Sequence, residues 1–310
     1  MKDEQPLQAG SVPSPLVSAV QIVVRRRVGL DNPAQMPRIE RRVDGARLNS
    51  AWLRQYVACI GADVEHLHTH GLPPLALQIA AASLHLAILA DARFPFKPLG
   101  LVHLDQTVEQ FRRIDPDARL DLRAVTADAR TEKRGISFGM VTEARADGEL
   151  VWRSTLRALS MRRPREKTDR GDTAPVERPA QPHPLETHRI TVAEDMGRRY
   201  ARLAGDRNPI HQHALLARPF GFRRAIVHGT WTLARALTCA GLPGSEVYRL
   251  QARFRRPVEL PAEIVVERCA GEQPGHQVLR VAQVPGTKTH VSIDVIESPA
   301  AGRAIAHGDI

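Results

Sequence analysis

Apolar and polar residues alternate through four stretches of the first half of the chain: V-H-L-D-Q-T-V-E-Q-F from Val102, L-D-L-R-A-V-T-A from Leu120, G-I-S-F-G-M-V-T-E-A-R from Gly135 and L-V-W-R-S-T-L-R-A-L-S-M from Leu150. A period of two sends successive side chains to opposite faces, so each stretch predicts a β-strand with one buried face. Asp147-Gly148 adds a turn signal between the last two. The second half repeats the pattern with Y-R-L-Q-A-R-F from Tyr248, E-I-V-V-E-R-C-A from Glu263, Q-V-L-R-V-A-Q-V from Gln277 and T-H-V-S-I-D-V-I from Thr289. Upstream of each set the period changes. L-R-Q-Y-V-A-C-I-G-A-D at 53–63 and M-G-R-R-Y-A-R-L-A-G-D at 196–206 read as short helices ending at glycine, with Tyr56 matching Tyr200 and Gly61 matching Gly205. His70-Gly71 then opens an apolar helical run through about Ala90, and His228-Gly229 opens T-W-T-L-A-R-A-L-T-C-A.

Each half therefore reads as a short helix, a longer apolar helix and an antiparallel set of strands. A helix covering one face of such a sheet is an α+β arrangement, and the repeat predicts two units packed side by side. Between them, R-R-P-R-E-K-T-D-R-G-D-T-A-P-V-E-R-P-A-Q-P-H at 162–183 is charged, proline-rich and aperiodic. Such a composition cannot bury a face, so 163–184 is expected to be a linker between bodies at 37–162 and 185–298. Residues 1–36 and 299–310 share that character and are expected to be a flexible N-terminal segment and a tail.

Composition narrows the function classes. With 310 residues, 43% apolar and 25% charged, the chain fits two globular domains. Its charge of +10 comes almost wholly from arginine and would attract polyanions, although solvated faces explain such a balance as well. Zinc-finger spacing is absent and aromatics make up only 4%, which argues against a nucleic-acid partner. Cys59, Cys239 and Cys269 form no C-x-x-C pair, as in a reducing compartment. The apolar run at 15–24 has Arg25, Arg26 and Arg27 after it rather than before it, the reverse of a signal peptide. No run approaches the roughly 18 apolar residues of a membrane span. A cytoplasmic protein without a membrane partner is expected.

The chemistry concentrates in L-A-G-D-R-N-P-I-H at 203–211. Gly205 permits a tight exit from the helix, and Asn208-Pro209 forces an irregular turn. Asp206 and His211, five residues apart, can be aimed by one folded loop at one substrate atom. A carboxylate beside an imidazole is a pairing suited to proton transfer near neutral pH. The same residues also suit an Asx-turn, Asp206 and Asn208 capping backbone groups with His211 on the surface. A metal is not indicated, because His211 and His213 are i and i+2 and no second ligand pair at helical spacing follows. Gly229 opens a helix, so its N–H can receive a developing oxyanion, or the glycine serves close packing alone.

G-D-R-N-P-I-H at 205–211 followed by F-G-F-R-R-A-I-V-H-G at 220–229 resembles the MaoC-like dehydratases, also called R-specific enoyl-CoA hydratases. L-P-P-L at 72–75 and F-P-F-K-P-L-G-L-V-H-L at 94–104 are similar to the leading half of two-domain members. The resemblance implies a double hot-dog fold, in which each antiparallel sheet wraps a long helix. It implies that Asp206 and His211 activate water for addition to a trans-2-enoyl thioester, or in reverse dehydrate a (3R)-hydroxyacyl thioester. The Gly229 amide would hold the thioester carbonyl, Asn208 would brace the loop, and His228 would line the substrate site. The carrier would be coenzyme A or acyl carrier protein. No cofactor is implied, and a homodimer is compatible. Arg223 and Arg224, with R-F-R-R at 253–256, are candidates to meet carrier phosphates or acidic groups, or else form a solvated face.

The first half departs from this motif. It reads A-D-V-E-H-L where the second reads D-R-N-P-I-H, and the stretch from its tyrosine to H-G is fourteen residues shorter. His66, His68 and His70 do not reproduce the spacing and are expected to be loop residues. A degenerate first site is expected, with L-A-L-Q-I-A-A-A-S-L at 75–84 leaving room for an acyl chain or packing tightly on its sheet. Two alternatives stay open: a thioesterase of the same fold, and a non-catalytic acyl-thioester-binding subunit.

Overall fold

The computed structural model describes residues 5–8, 22, 27, 29–161, 184–241, 243–285 and 288–298. Apart from Pro184, the expected linker 163–184 lies outside the described residues, as does the expected tail 299–310. The described strands are β1 (Leu7–Gln8), β2 (Glu40–Leu48), β3 (Leu101–Gln110), β4 (Leu120–Glu132), β5 (Gly135–Ala146) and β6 (Glu149–Met161), then β7 (Glu186–Val192), β8 (Tyr248–Phe254), β9 (Ala262–Ala270), β10 (His276–Gln283) and β11 (Lys288–Glu297). They form one antiparallel sheet in the order β1-β2-β4-β5-β6-β3-β8-β11-β10-β9-β7. From the centre outward the two halves repeat one order, β3-β6-β5-β4-β2 on one side and β8-β11-β10-β9-β7 on the other. The halves meet where β3 pairs with β8, from Asp105 opposite Arg253 to Gln110 opposite Tyr248. Inside that seam the Tyr248 hydroxyl donates to Gln110 Oε1 at 3.1 Å.

All eight strands read from the sequence are present, but β2 and β7, which lead each half, escape the alternation. E-R-R-V-D-G-A-R-L is mostly charged, and its register shifts between Val43 and Ala46, where Gly45 takes φ 62°. A bulge of this kind breaks the period of two that the eye follows. E-T-H-R-I-T-V is an edge strand that buries only Ile190 and Val192.

Seven α-helices are described beside the sheet: α1 (Ser50–Ile60), α2 (Glu65–His70), α3 (Ala76–Ala80), α4 (Ala82–Ala90), α5 (Met196–Ala204), α6 (Ala214–Ala217) and α7 (Gly229–Cys239). Both short helices end as expected, on left-handed glycines: Gly61 at φ 76° and Gly205 at φ 68°. The long helix of the first half differs from expectation. Gly71 closes α2 rather than opening the apolar helix, which starts only after Pro73 and Pro74 and breaks at Ala81. Prolines there cannot donate to a helix interior, so the helix waits until they are passed. His66, His68 and His70 accordingly lie on α2, not in a loop. Leu75, Ala76, Leu77, Ala80, Ala81, Leu84 and Ile88 are nearly inaccessible, as a helix enclosed by a sheet requires.

The two halves are also stitched by indoles. Trp52 Nε1 on α1 donates to the Leu203 carbonyl at the end of α5, and Trp231 Nε1 on α7 donates to the Cys59 carbonyl at the end of α1, each at 3.0 Å. Leu203 and Cys59 occupy matching places in the repeat, two residues before the glycine. The last carbonyls of a helix lack partners within it, and here a buried tryptophan of the opposite half supplies one. Within residues 1–36, Leu7 pairs with Leu48 and is buried. The Arg27 guanidinium donates to the Phe94 carbonyl at 2.9 Å and the Leu89 carbonyl at 2.7 Å, so parts of the segment expected to be flexible have fixed partners. No helix among the described residues is long and apolar enough to cross a membrane.

Candidate active site

The loop leaving α5 folds into two successive side-chain-capped turns. Asp206 Oδ1 accepts from the Asn208 N–H at 3.1 Å, and Asn208 Oδ1 accepts from the Ile210 N–H at 3.4 Å. Pro209 begins a short 3-10 turn, Pro209–His211, whose entry Asn208 caps. The Asx-turn and the acid–histidine pair are therefore not alternatives. One carboxylate oxygen holds the turn, and the other, Oδ2, faces two histidines. His211 Nε2 lies 3.8 Å from it and His228 Nε2 3.7 Å. Asp206 stays half exposed (54%), whereas both imidazoles are buried.

His211 is held from three sides. Its Nδ1 bonds the Ile226 carbonyl at 2.8 Å, its ring stacks on His228 with centroids 3.6 Å apart, and its backbone carbonyl rests on Gly197 of α5. A carbonyl only accepts, so the proton sits on Nδ1 and the lone pair of Nε2 faces Asp206. His228 carries the opposite tautomer in its neutral form: its Nε2 donates to the Asp206 carbonyl at 3.1 Å, while its Nδ1 is buried with no partner among the described residues. Tyr200 also packs against His228, with ring centroids 5.1 Å apart.

Electrostatics follow from burial. Desolvation pushes His211 below the ordinary histidine value, against the opposing pull of Asp206 and the Ile226 carbonyl. Burial, reinforced by neighbouring His211, takes His228 down to about 4. Both rings are neutral at physiological pH, and His211 is a base there. The donor atoms of Asp206, His211 and His228 lie within 4.8 Å of one another, a spacing that invites a metal. The tautomers argue otherwise: His228 turns a proton toward the cluster, leaving one imidazole lone pair and one carboxylate, short of the three protein ligands of a catalytic zinc.

Gly229 is the first residue of α7, with His228 at the cap position. Its N–H has no acceptor within the helix, as at every helix start. A Cβ there would lie 2.9 Å from Phe254 Cε1, so the glycine also permits close packing. Phe254 in turn packs on the His103 ring, centroids 4.3 Å apart. Gly205 brings the loop against the first half, where its would-be Cβ stands 3.8 Å from Ala82 Cβ.

The remaining candidates stand apart. Arg223 and Arg224 are exposed, and Arg224 lines a surface cavity of about 180 Å³ with Glu194, Arg198 and His213 rather than the cluster. Exposed His213 caps α6 through its Nδ1. The sequence reading missed Gly197 and Tyr200 as supports of the two histidines; the signals available were a glycine inside the helix and the match of Tyr200 to Tyr56. In the first half, the exposed Asp63, His68 and His70 show no comparable cluster among the described residues.

Comparison with known proteins bears on the family and on the fold. Residues 176–291 match the family described as MaoC like domain. The chain is 30% identical over 177 residues to 3-hydroxyacyl-thioester dehydratase X of Mycobacterium tuberculosis, a match covering 57% of this chain and 62% of that protein. It is 29% identical over 247 residues to dehydratase Y of the same organism, covering 73% of this chain and 82% of that one. Among solved structures, HtdX of Mycobacterium tuberculosis superposes with a TM-score of 0.68 at 23% identity, over 84% of this chain and 100% of its own. A MaoC-like dehydratase from Phytophthora capsici gives 0.67 at 16%, over 88% and 99%. The chain thus has a double hot-dog fold, and residues 176–291 within it match a MaoC like domain.

Proposed function

We propose that the protein interconverts (3R)-hydroxyacyl and trans-2-enoyl thioesters, as a hydro-lyase acting through the second half of the chain. The observation that carries this reading is the pair of acceptors, Asp206 Oδ2 and His211 Nε2, set 3.8 Å apart on one loop. A water placed between them can donate one hydrogen to each at normal bond length. Its oxygen then attacks C3 of the enoyl thioester while His211 Nε2 takes one proton. The electron pair moves to the thioester oxygen, which the Gly229 N–H at the start of α7 receives as an enolate-like oxyanion. The imidazolium returns the proton to C2, so water has added across the double bond and the enzyme is restored. Dehydration is the same path reversed.

Asn208 and His228 are positioning residues here, the first fixing the turn and the second donating to the Asp206 carbonyl and backing the His211 ring. The dehydratase names of the two mycobacterial relatives support the reaction class. The test is the absorbance of an enoyl thioester, followed separately for Asp206→Asn and His211→Ala over a chain-length series. Each variant is expected to lose at least about 10²-fold in rate, the usual contribution of one general acid–base group. Unchanged rates in both would overturn the assignment. Release of free thiol, read with a thiol reagent, would instead indicate a thioesterase.

A further inference from the structure

The stretch that the second half has and the first half lacks builds no part of the proton-transfer cluster beyond His211. Residues 212–224 run over the surface as α6 and a 3-10 turn, Arg218–Phe220, closed by Gly221 at φ 88°. Ala217 is buried and anchors this excursion, yet its larger apolar side chains point outward: Leu215 is 61% exposed, Leu216 50% and Phe220 38%. These three are among the few large apolar residues so exposed anywhere in the described chain. Folding does not account for placing them in water, because each would be more stable in a core.

Charge accompanies them. Arg207, Arg218, Arg223 and Arg224 are all exposed, and the carboxylates within the stretch from 205 to 224 amount to Asp206 alone. The ion pairs of Asp206 are with His211 and His228, and among the described residues none of the four arginines takes part in an ion pair. Unpaired arginines interspersed along one stretch with exposed apolar side chains are suited to a negatively charged protein.

We propose that residues 207–224 form the docking surface for an acidic carrier protein that delivers the acyl thioester on a pantetheine arm. The inference rests on the hydro-lyase reading, since the patch belongs to the loop that holds Asp206 and His211. Leu215, Leu216 and Phe220 supply the apolar contacts, and Arg218, Arg223 and Arg224 of the same stretch supply the positive charge. A lipid surface is the less suitable occupant. α6 has only four residues, too short an amphipathic helix to lie along a bilayer.

The experiment compares one acyl chain on two carriers, coenzyme A and acyl carrier protein, for the full chain and two variants: Leu215→Ser with Leu216→Ser, and Arg218→Glu. All three side chains are exposed, so activity on the coenzyme A thioester reports that each variant is folded. Expected is a rise of about 10-fold or more in KM for the carrier-protein substrate, with kcat and the coenzyme A reaction unchanged. The arginine effect should shrink in 0.5 M salt, where screening is strong. Three outcomes overturn the proposal: no change with either substrate, an equal loss with both, or wild-type binding to anionic phospholipid vesicles that the leucine variant loses while carrier-protein kinetics stay intact. Inactivity of the unaltered chain on both substrates would instead refute the hydro-lyase reading.

Discussion

Replacing Gly197 by alanine adds one methyl group to α5, nine residues in sequence from Asp206, the nearer of the two residues proposed to handle the proton. Its Cβ would overlap the His211 carbonyl oxygen and stand 3.3 Å from the Ile226 carbonyl oxygen. Both neighbours are backbone, and the second already accepts the His211 Nδ1 bond. Neither can swing aside as a side-chain tip would. Restoring an ordinary carbon–oxygen contact requires α5 and the loop to separate by about 1 Å. A shift of that size in a reacting group costs on the order of 10²-fold in rate. Stability changes less, because alanine gains roughly 1 kcal/mol over glycine inside a helix while overpacking costs about 1–3 kcal/mol. Gly197→Ala is therefore expected to lower kcat about 100-fold with a shift of only a few degrees in Tm. Enoyl-thioester absorbance and thermal unfolding, measured on the same preparation, check both numbers. A kcat within about threefold of the parent would refute the reasoning, since the position of His211 would then not depend on its contact with α5.

The acid limb of kcat/KM should lie below the ordinary histidine value of about 6.5, because burial depresses His211 and preserves its basic form to lower pH; a limb above pH 7 contradicts this. His85, His103 and His228 are each taken to about 4 by burial, so between pH 6.5 and 4 the unfolded chain binds protons that the native chain refuses. Stability present above pH 6.5 should be lost as pH falls through that window, by about 2 kcal/mol for each of these histidines at pH 5. Urea midpoints that stay level from pH 8 to pH 5 would count against it. Trp231→Phe strands the Cys59 carbonyl and should cost about 1–3 kcal/mol in denaturant unfolding; a change below 0.5 kcal/mol would mean that the indole bond adds nothing.

Much of the architecture was legible because burial imposes periodicity. Strands such as I-S-F-G-M in β5 bury one or both faces and show it in composition, and the match of Tyr56 to Tyr200 reflects a real equivalence, the two rings lying 6.4 Å apart on adjoining helices. Where burial is slight the signal fails, as in edge strand β7 and bulged β2. The His70-Gly71 match failed for another reason: two prolines after the glycine delay the helix, so the same dipeptide ends one helix and begins another. In the site, Asp206, Asn208 and His211 were legible from local spacing. The part of His228 was not, because its stacking on His211 and its bond to the Asp206 carbonyl depend on a chain reversal that brings residues 206 and 228 together.

The seam between β3 and β8 joins unlike strands: Val108 faces Leu250 and Gln110 faces Tyr248. In an assembly of identical subunits, a substitution on one side of a dyad appears on the other as well, and both sides must tolerate it. Here each side of the dyad has its own codons. The second half is free to carry the excursion from Asn208 to Phe220 while the first half fills the corresponding region with α2 and the two prolines that follow it. An active-site titration should then count one site per polypeptide, where a symmetric pair of single hot-dog chains would give one per half-sized chain.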